Sequence, residues 1–236
     1  MIRWNRQFIK ADAKDFLRYD YWKAFVACLV VSLIAGFSGE VIRFYRTGSF
    51  DYSIFPSSLI ALIMLVFIIF VLTVNFALEV GKNRFFLDGF KGEVVIGKIF
   101  STFNSDEYFS IVKTQFLKKL YEFLWTLLLI IPGIIKSYEY RFVPYILAEE
   151  PNLPSNEVIS RSRDITYGHK MDMFVLDLSF IGWILLGAIF CGFGIFFVVP
   201  YIDATNARLY NVLSGKDDFD NNFHGTEESF FDIVIE

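Results

Sequence analysis

Arg161, Arg163, His169 and Lys170 form a short cationic run just ahead of an apolar stretch that begins near Phe174. Basic side chains at the edge of a membrane segment are drawn to anionic lipid by about 1 kcal/mol each, and an arginine can grip a phosphate through two parallel hydrogen bonds. The four residues are therefore the candidate site for an anionic headgroup. The plainer reading makes them a topological anchor, salt-bridged to Asp164 or Glu157. Lys136 with Glu139 or Tyr140 falls on one face of a helix and is the candidate intramembrane polar patch. Glu79, Arg141, Asp177 and Asp203 also lie in or beside apolar segments. Charge is costly in hydrocarbon, so each must reach the interface or pair inside the protein.

Catalytic constellations are missing from the sequence. It has two histidines, His169 and His224, and no H-E-x-x-H, G-x-S-x-G or phosphate-binding glycine loop. Adjacent Glu149 and Glu150 diverge rather than face each other. Cys28 and Cys191 sit inside apolar runs and read as small hydrophobes. The expectation is a protein that is not an enzyme, with no metal site and no cofactor.

The elements that would position these residues are membrane segments. Of 236 residues, 55% are hydrophobic and 29 are phenylalanine, with mean hydropathy +0.46, above the apolar share of an ordinary soluble domain. Residues 1–21 predict an interfacial amphipathic helix on Trp4, Phe8, Ala11 and Phe16. Residues 24–37 form a first apolar run anchored by Tyr21 and Trp22, followed by a polar loop at 43–53. Residues 57–78 are the clearest span, closed by Glu79 and Lys82, and residues 82–119 read as interfacial helix and loop. The run from residue 117 should break at Pro132-Gly133, since proline lacks an N–H and clashes one turn back. Ser155 should cap a helix over 156–167 that ends at Gly168. Residues 174–213 would make a helix of about 60 Å, too long for one crossing, so a second break is expected near residues 187–194 or at Pro200.

Charge orients these segments. Six of 22 basic residues precede the first apolar run and seven more lie between Lys82 and Lys119, so both regions should be cytoplasmic. If the chain turns back at Pro132-Gly133, the connector bearing Arg161, Arg163 and Lys170 is cytoplasmic too, and so are both termini. A single kinked span is the alternative and would put that connector outside. Gly182, Gly187, Gly192 and Gly194 suit close helix packing, within the monomer or in a homo-oligomer. The acidic residues from Asp217 onward predict a solvated, disordered tail. A cleavable signal peptide is not expected, because Asp12, Asp15 and Asp20 interrupt the basic start.

Ile131-Pro132-Gly133-Ile134-Ile135-Lys136, Pro144-Tyr145-Ile146-Leu147-Ala148, Ser160-Arg161-Ser162-Arg163, Gly168-His169-Lys170, Leu178-Ser179-Phe180-Ile181-Gly182-Trp183 and Pro200-Tyr201 together resemble the DUF975 family. Its members are uncharacterised multi-span membrane proteins, mainly of Gram-positive bacteria, and the likeness runs through nearly the whole chain up to the acidic tail. Asp164-Ile165-Thr166-Tyr167 departs from the family's apolar Leu-Met pair. The middle section is also similar to the membrane domain of some glycerophosphodiester phosphodiesterases. Neither resemblance implies a biochemical activity.

The combined reading is an all-α, polytopic transmembrane bundle of the bacterial cytoplasmic membrane. It has about six membrane segments, two of them short or broken. It is one domain over 1–213, including the interfacial helix at 1–21, with a tail over 214–236. The leading function is a non-enzymatic module that binds lipid, a membrane-active peptide or another membrane protein. A small transporter or channel with a path at the Pro132-Gly133 break is the second reading, and a lipid-modifying enzyme the third. Nothing points to nucleic acid.

Overall fold

The structure, a computed structural model, describes residues 4–46, 57–104, 107–189 and 193–216. Every regular element among the described residues is helical: α1 (Arg6–Arg46), α2 (Ser57–Phe90), a 3-10 helix (Ile96–Asn104), α3 (Tyr108–Leu128), α4 (Ile130–Glu139), α5 (Val143–Glu149), α6 (Ser155–Thr166), α7 (Lys170–Ile189) and α8 (Phe193–Leu213). Three stretches are long and apolar enough to cross a membrane: Arg6–Gly36, Ala61–Phe90 and Lys170–Ala188. The other expected segments are shorter or carry charge. Cys191, Gly192, His224, most of the loop expected at 43–53 and the acidic tail from Asp217 lie outside the described residues.

The molecule has two unlike halves. In one, Phe85, Phe86, Phe142, Leu147, Met173 and Leu176 are fully buried, together with much of α5 and the end of α8. In the other, Leu62, Ile63, Val66 and Ile69 of α2, Leu185 and Leu186 of α7, and Leu127 to Ile131 are exposed. A helix that is apolar all round needs lipid or protein on every side. The exposed half therefore defines the surface suited to hydrocarbon.

α1 departs from helical geometry at Asp20 (φ −122°, ψ 23°), where the charged start passes into the apolar run. Both arms grasp α8. Before the bend, Asp12 pairs with Arg208 and Lys14 lies 5.8 Å from the Tyr201 ring. After it, Phe25 stacks on Phe197 at 5.0 Å and the Cys28 thiol donates to Asp203 at 3.3 Å. The first arm buries Ile9, Ala13 and Leu17 in the protein, whereas the sequence suggested a helix lying on lipid through Trp4, Phe8, Ala11 and Phe16. Ala11 is exposed.

α2 does not close at Glu79 and Lys82. It runs to Phe90 and ends in a turn at Gly92, whose φ of +90° favours glycine. Those charges do not end the helix because they turn inward. Lys82 bridges Asp203 at 2.8 Å, and Glu79 lies 3.7 Å from the buried Lys118.

The break expected at Pro132-Gly133 occurs at Leu129, the one extended residue (φ −158°, ψ 137°) between α3 and α4. Pro132 lies in the first turn of α4, where no N–H is needed, so it starts a helix rather than breaking one. The chain then folds back on itself. A Cβ on Gly133 would come within 2.7 Å of the Thr126 Cα. Lys136 lies 5.3 Å from the Trp125 ring, and Tyr140 faces Tyr121 at 6.4 Å. These pairs define an antiparallel hairpin with Leu127 to Ile131 at its tip, each between 61% and 74% exposed. From the tyrosine pair to the tip is about ten residues, or roughly 15 Å, half of a hydrocarbon core about 30 Å thick.

The second break falls between α7 and α8, inside the expected 187–194 window, and Pro200 lies within α8. Gly187 and Gly194 touch each other, since a Cβ on Gly187 would meet Gly194 backbone at 2.8 Å. Their smallness therefore serves this chain's own hairpin. Gly182 has open space beside it. α6 ends as expected, with Gly168 at φ +82°. Ser155 is its first helical residue rather than its cap, and its hydroxyl is 2.7 Å from that of Thr114.

Candidate functional site

Three short connections bring the end of α4, the middle of α6 and the start of α7 together at the base of the hairpin. Glu139 is the last residue of α4, 8% exposed. Its carboxylate accepts from Lys136 Nζ at 2.6 Å through Oε2 and from Lys170 Nζ at 2.6 Å through Oε1. Arg163 Nε lies 3.8 Å from Oε2. The Ser162 hydroxyl donates to the Glu139 carbonyl at 2.7 Å and fixes α6 against α4. Arg163 and Lys170 of one group proposed from the sequence thus meet Lys136 and Glu139 of the other, with Glu139 as the hub.

Charge is unbalanced there. Three cations surround one carboxylate, a local excess of two positive charges. Burial acts to raise the Glu139 pKa, but the hydrogen bonds and positive charge of Lys136 and Lys170 outweigh it and hold the carboxyl below its ordinary value of 4.5. Arg163, whose side chain is 57% exposed, is the least engaged of the three cations. Its long distance to Glu139 leaves most of its guanidinium available to a second anion.

The other predicted residues have different duties. Arg161 is held between Glu150 at 3.0 Å and Glu157 at 2.9 Å, so its charge is compensated locally, in part by the Glu157 pair expected from the sequence. His169 accepts a hydrogen bond from Trp4 Nε1 at 3.3 Å on Nδ1, tying the start of the chain to the α6–α7 turn. Burial pushes its pKa below the ordinary 6.5, so it contributes a neutral acceptor rather than a positive charge. Tyr140 is buried with its ring toward Tyr121 and anchors the hairpin's base. Arg163, Lys170 and Lys136 remain as the charges that face the site.

Two polar clusters carry partnerships that the sequence could not assign. Arg141 forms a bidentate pair with Asp177, 2.7 Å on each arm, and donates to Asn206 at 2.7 Å, while the Tyr138 hydroxyl donates to Asp177 at 2.9 Å. Lys82, Asp203 and Cys28 meet where α1, α2 and α8 converge. Pairing inside the protein, one of the two expected fates for these charges, is the observed one. Sequence separations as long as 175 residues hide the partners.

These features define an all-helical bundle with apolar helices compatible with membrane insertion and a cationic site beside a short apolar hairpin. Residues 126–217 match the family model described as "Protein of unknown function (DUF975)". The match begins inside α3 and takes in the hairpin tip, every residue of the Glu139 site and α8. It is narrower than the resemblance read along nearly the whole sequence. No curated protein and no solved structure gives a significant match.

Proposed function

We propose that the protein is a non-enzymatic module of the bacterial cytoplasmic membrane. It inserts the α3–α4 hairpin into the inner leaflet and holds an anionic lipid headgroup at the Glu139 site. The single observation that carries this reading is the placement of three cations around one carboxylate at the base of an apolar hairpin about half a bilayer deep. A hairpin whose tip reaches mid-bilayer sets its base near headgroup depth, where Arg163 and Lys170 would share a phosphate. The fold-back favours a cytoplasmic connector at 150–169 and cytoplasmic termini, in keeping with the distribution of basic residues. A transport path was tied to the helix break, and that break lies at an exposed apolar tip rather than beside a polar cavity.

The headgroup without its acyl chains tests the site. Added to the purified full-length protein, sn-glycerol 3-phosphate should raise the thermal midpoint, and at a hundred times its dissociation constant a ligand adds about 2.7 kcal/mol. The Arg163→Ala/Lys170→Ala variant should lose that rise. A wild-type protein that does not respond, or a variant that responds equally, would overturn the proposal. Topology is tested separately by single cysteines at the exposed Asn152 and Tyr167, in a background lacking Cys28 and Cys191. An impermeant thiol reagent outside intact cells should leave both unlabelled, and labelling from outside would refute the inner-leaflet placement.

A further inference from the structure

A crevice lies away from Glu139, between the first arm of α1 and the α7–α8 hairpin. Lys14, Leu17, Arg18 and Tyr21 follow helical spacing along one face of α1. They oppose Phe197, Val198 and Tyr201 of α8 and Trp183 of α7 across a cavity of about 570 Å³, within the range of small-molecule sites. The Tyr21 hydroxyl donates to the Phe197 carbonyl at 3.2 Å and ties the two walls together.

The lining is apolar except for its cations. Lys14 lies over the Tyr201 ring, and among the described residues neither Lys14 nor Arg18 forms a salt bridge. The acidic residues of the same arm do not supply one. Asp12 pairs with Arg208 and Asp20 with Lys23, and Asp15 takes no part in the lining. Lys10, nearby, reaches Ser179 and the face of Phe180. The crevice therefore presents positive charge on the charged arm of α1 and an apolar slot beside it. The slot opens toward the lipid-suited half of the molecule, where Trp183 and Phe197 are exposed.

We infer that this groove holds one anionic phospholipid of the surrounding bilayer. Its phosphate meets Lys14 and Arg18, and one acyl chain lies along Leu17, Trp183, Phe197 and Val198. Charge complementarity selects the occupant. A zwitterionic lipid would bring a phosphate already balanced by its own amine and leave net positive charge in the crevice, and a free phosphate would leave the apolar slot unfilled. Binding here would fasten α1 to α7 and α8 and so add to the clasp that α1 already makes around α8.

The test counts bound lipid by native mass spectrometry on full-length protein carrying Arg163→Ala/Lys170→Ala, so the Glu139 site does not contribute. Phosphatidylglycerol should bind about thirtyfold more tightly than phosphatidylcholine, from two cations at about 1 kcal/mol each. Adding Lys14→Ala/Arg18→Ala should abolish that preference; both side chains are exposed, so folding should survive. Val198→Trp fills the slot with the cations untouched, and should weaken phosphatidylglycerol binding at least tenfold. Equal binding of the two lipids, an unchanged preference in the Lys14/Arg18 variant, or full binding in Val198→Trp would each overturn the inference. Competition by sn-glycerol 3-phosphate as effective as by phosphatidylglycerol would do the same, by showing that a bare phosphate suffices.

Discussion

Glu139→Leu should lower the thermal midpoint by about 6–12 °C, because removing one partner of a buried ionic cluster costs about 3 kcal/mol. The carboxylate joins Lys136 of α4, Lys170 of α7 and, more loosely, Arg163 of α6. Without it three positive charges face one another where three helices meet. Glu139→Gln, which keeps the shape and one acceptor, should fall between the variant and wild type. The same substitution should strengthen binding of sn-glycerol 3-phosphate, since the competing carboxylate charge is gone. Loss of stability with gain of binding is the signature of an anion site, and a purely structural cluster would lose stability alone. Thermal unfolding with and without the headgroup measures both. Acidity probes the same residue. The Glu139 pKa in the folded protein is below its ordinary 4.5, so its contribution is fully present above 4.5 and drains away as pH falls through the lower folded value. The gap in midpoint between wild type and Glu139→Gln should therefore narrow below pH 4.5, and a gap that widens there would contradict the assignment.

Gly81→Ala should be comparably severe for a different reason. A Cβ at Gly81 would lie 2.0 Å from the carbonyl oxygen of Ile99 and 2.8 Å from its carbon. Both are backbone atoms, so no side chain can turn aside. α2 and the 3-10 helix would have to part by more than an ångström. That would strain the bond from the Thr102 hydroxyl to the Ala77 carbonyl, 3.1 Å and buried, and Ile99 would lose its complete burial. Overpacking of this kind costs about 1–3 kcal/mol, and a weakened buried hydrogen bond adds about 1 kcal/mol. Gly182→Ala is the control: nothing lies within 4 Å of a Cβ there, and in a helix interior alanine is preferred to glycine by about 0.5–1 kcal/mol. Gly81→Ala should therefore melt well below wild type and Gly182→Ala at or slightly above it. Equal midpoints would mean that the contact between Gly81 and Ile99 is not tight.

What the sequence disclosed follows from the range of the physics involved. Helix content and the stop at Gly168 depend on neighbouring residues, and both are legible in the sequence. The position of the hairpin turn is not. Proline breaks a helix interior but is accepted in a first turn, and the residues alone do not say which turn they occupy. Pro132 therefore pointed three residues past the true break at Leu129. The cationic run was visible because its members are close in sequence. Its hub is not legible beside it, because Glu139 meets Lys170 across 31 positions. His169 looked like a charge until its burial and its contact with Trp4 were known. α2 appeared to stop at Glu79 and Lys82 because their partners, Lys118 and Asp203, are far along the chain.

A wedge driven into one monolayer and absent from the other makes the two sheets of lipid unequal in area. Inserted as proposed, the α3–α4 hairpin would end near mid-depth with five bulky apolar side chains at its point and would have that shape. Insertion of this sort is sensitive to the bend of the surface that receives it. Molecules carrying it would gather where the penetrated leaflet is already stretched, at rims and constrictions, and drift away from flat expanses.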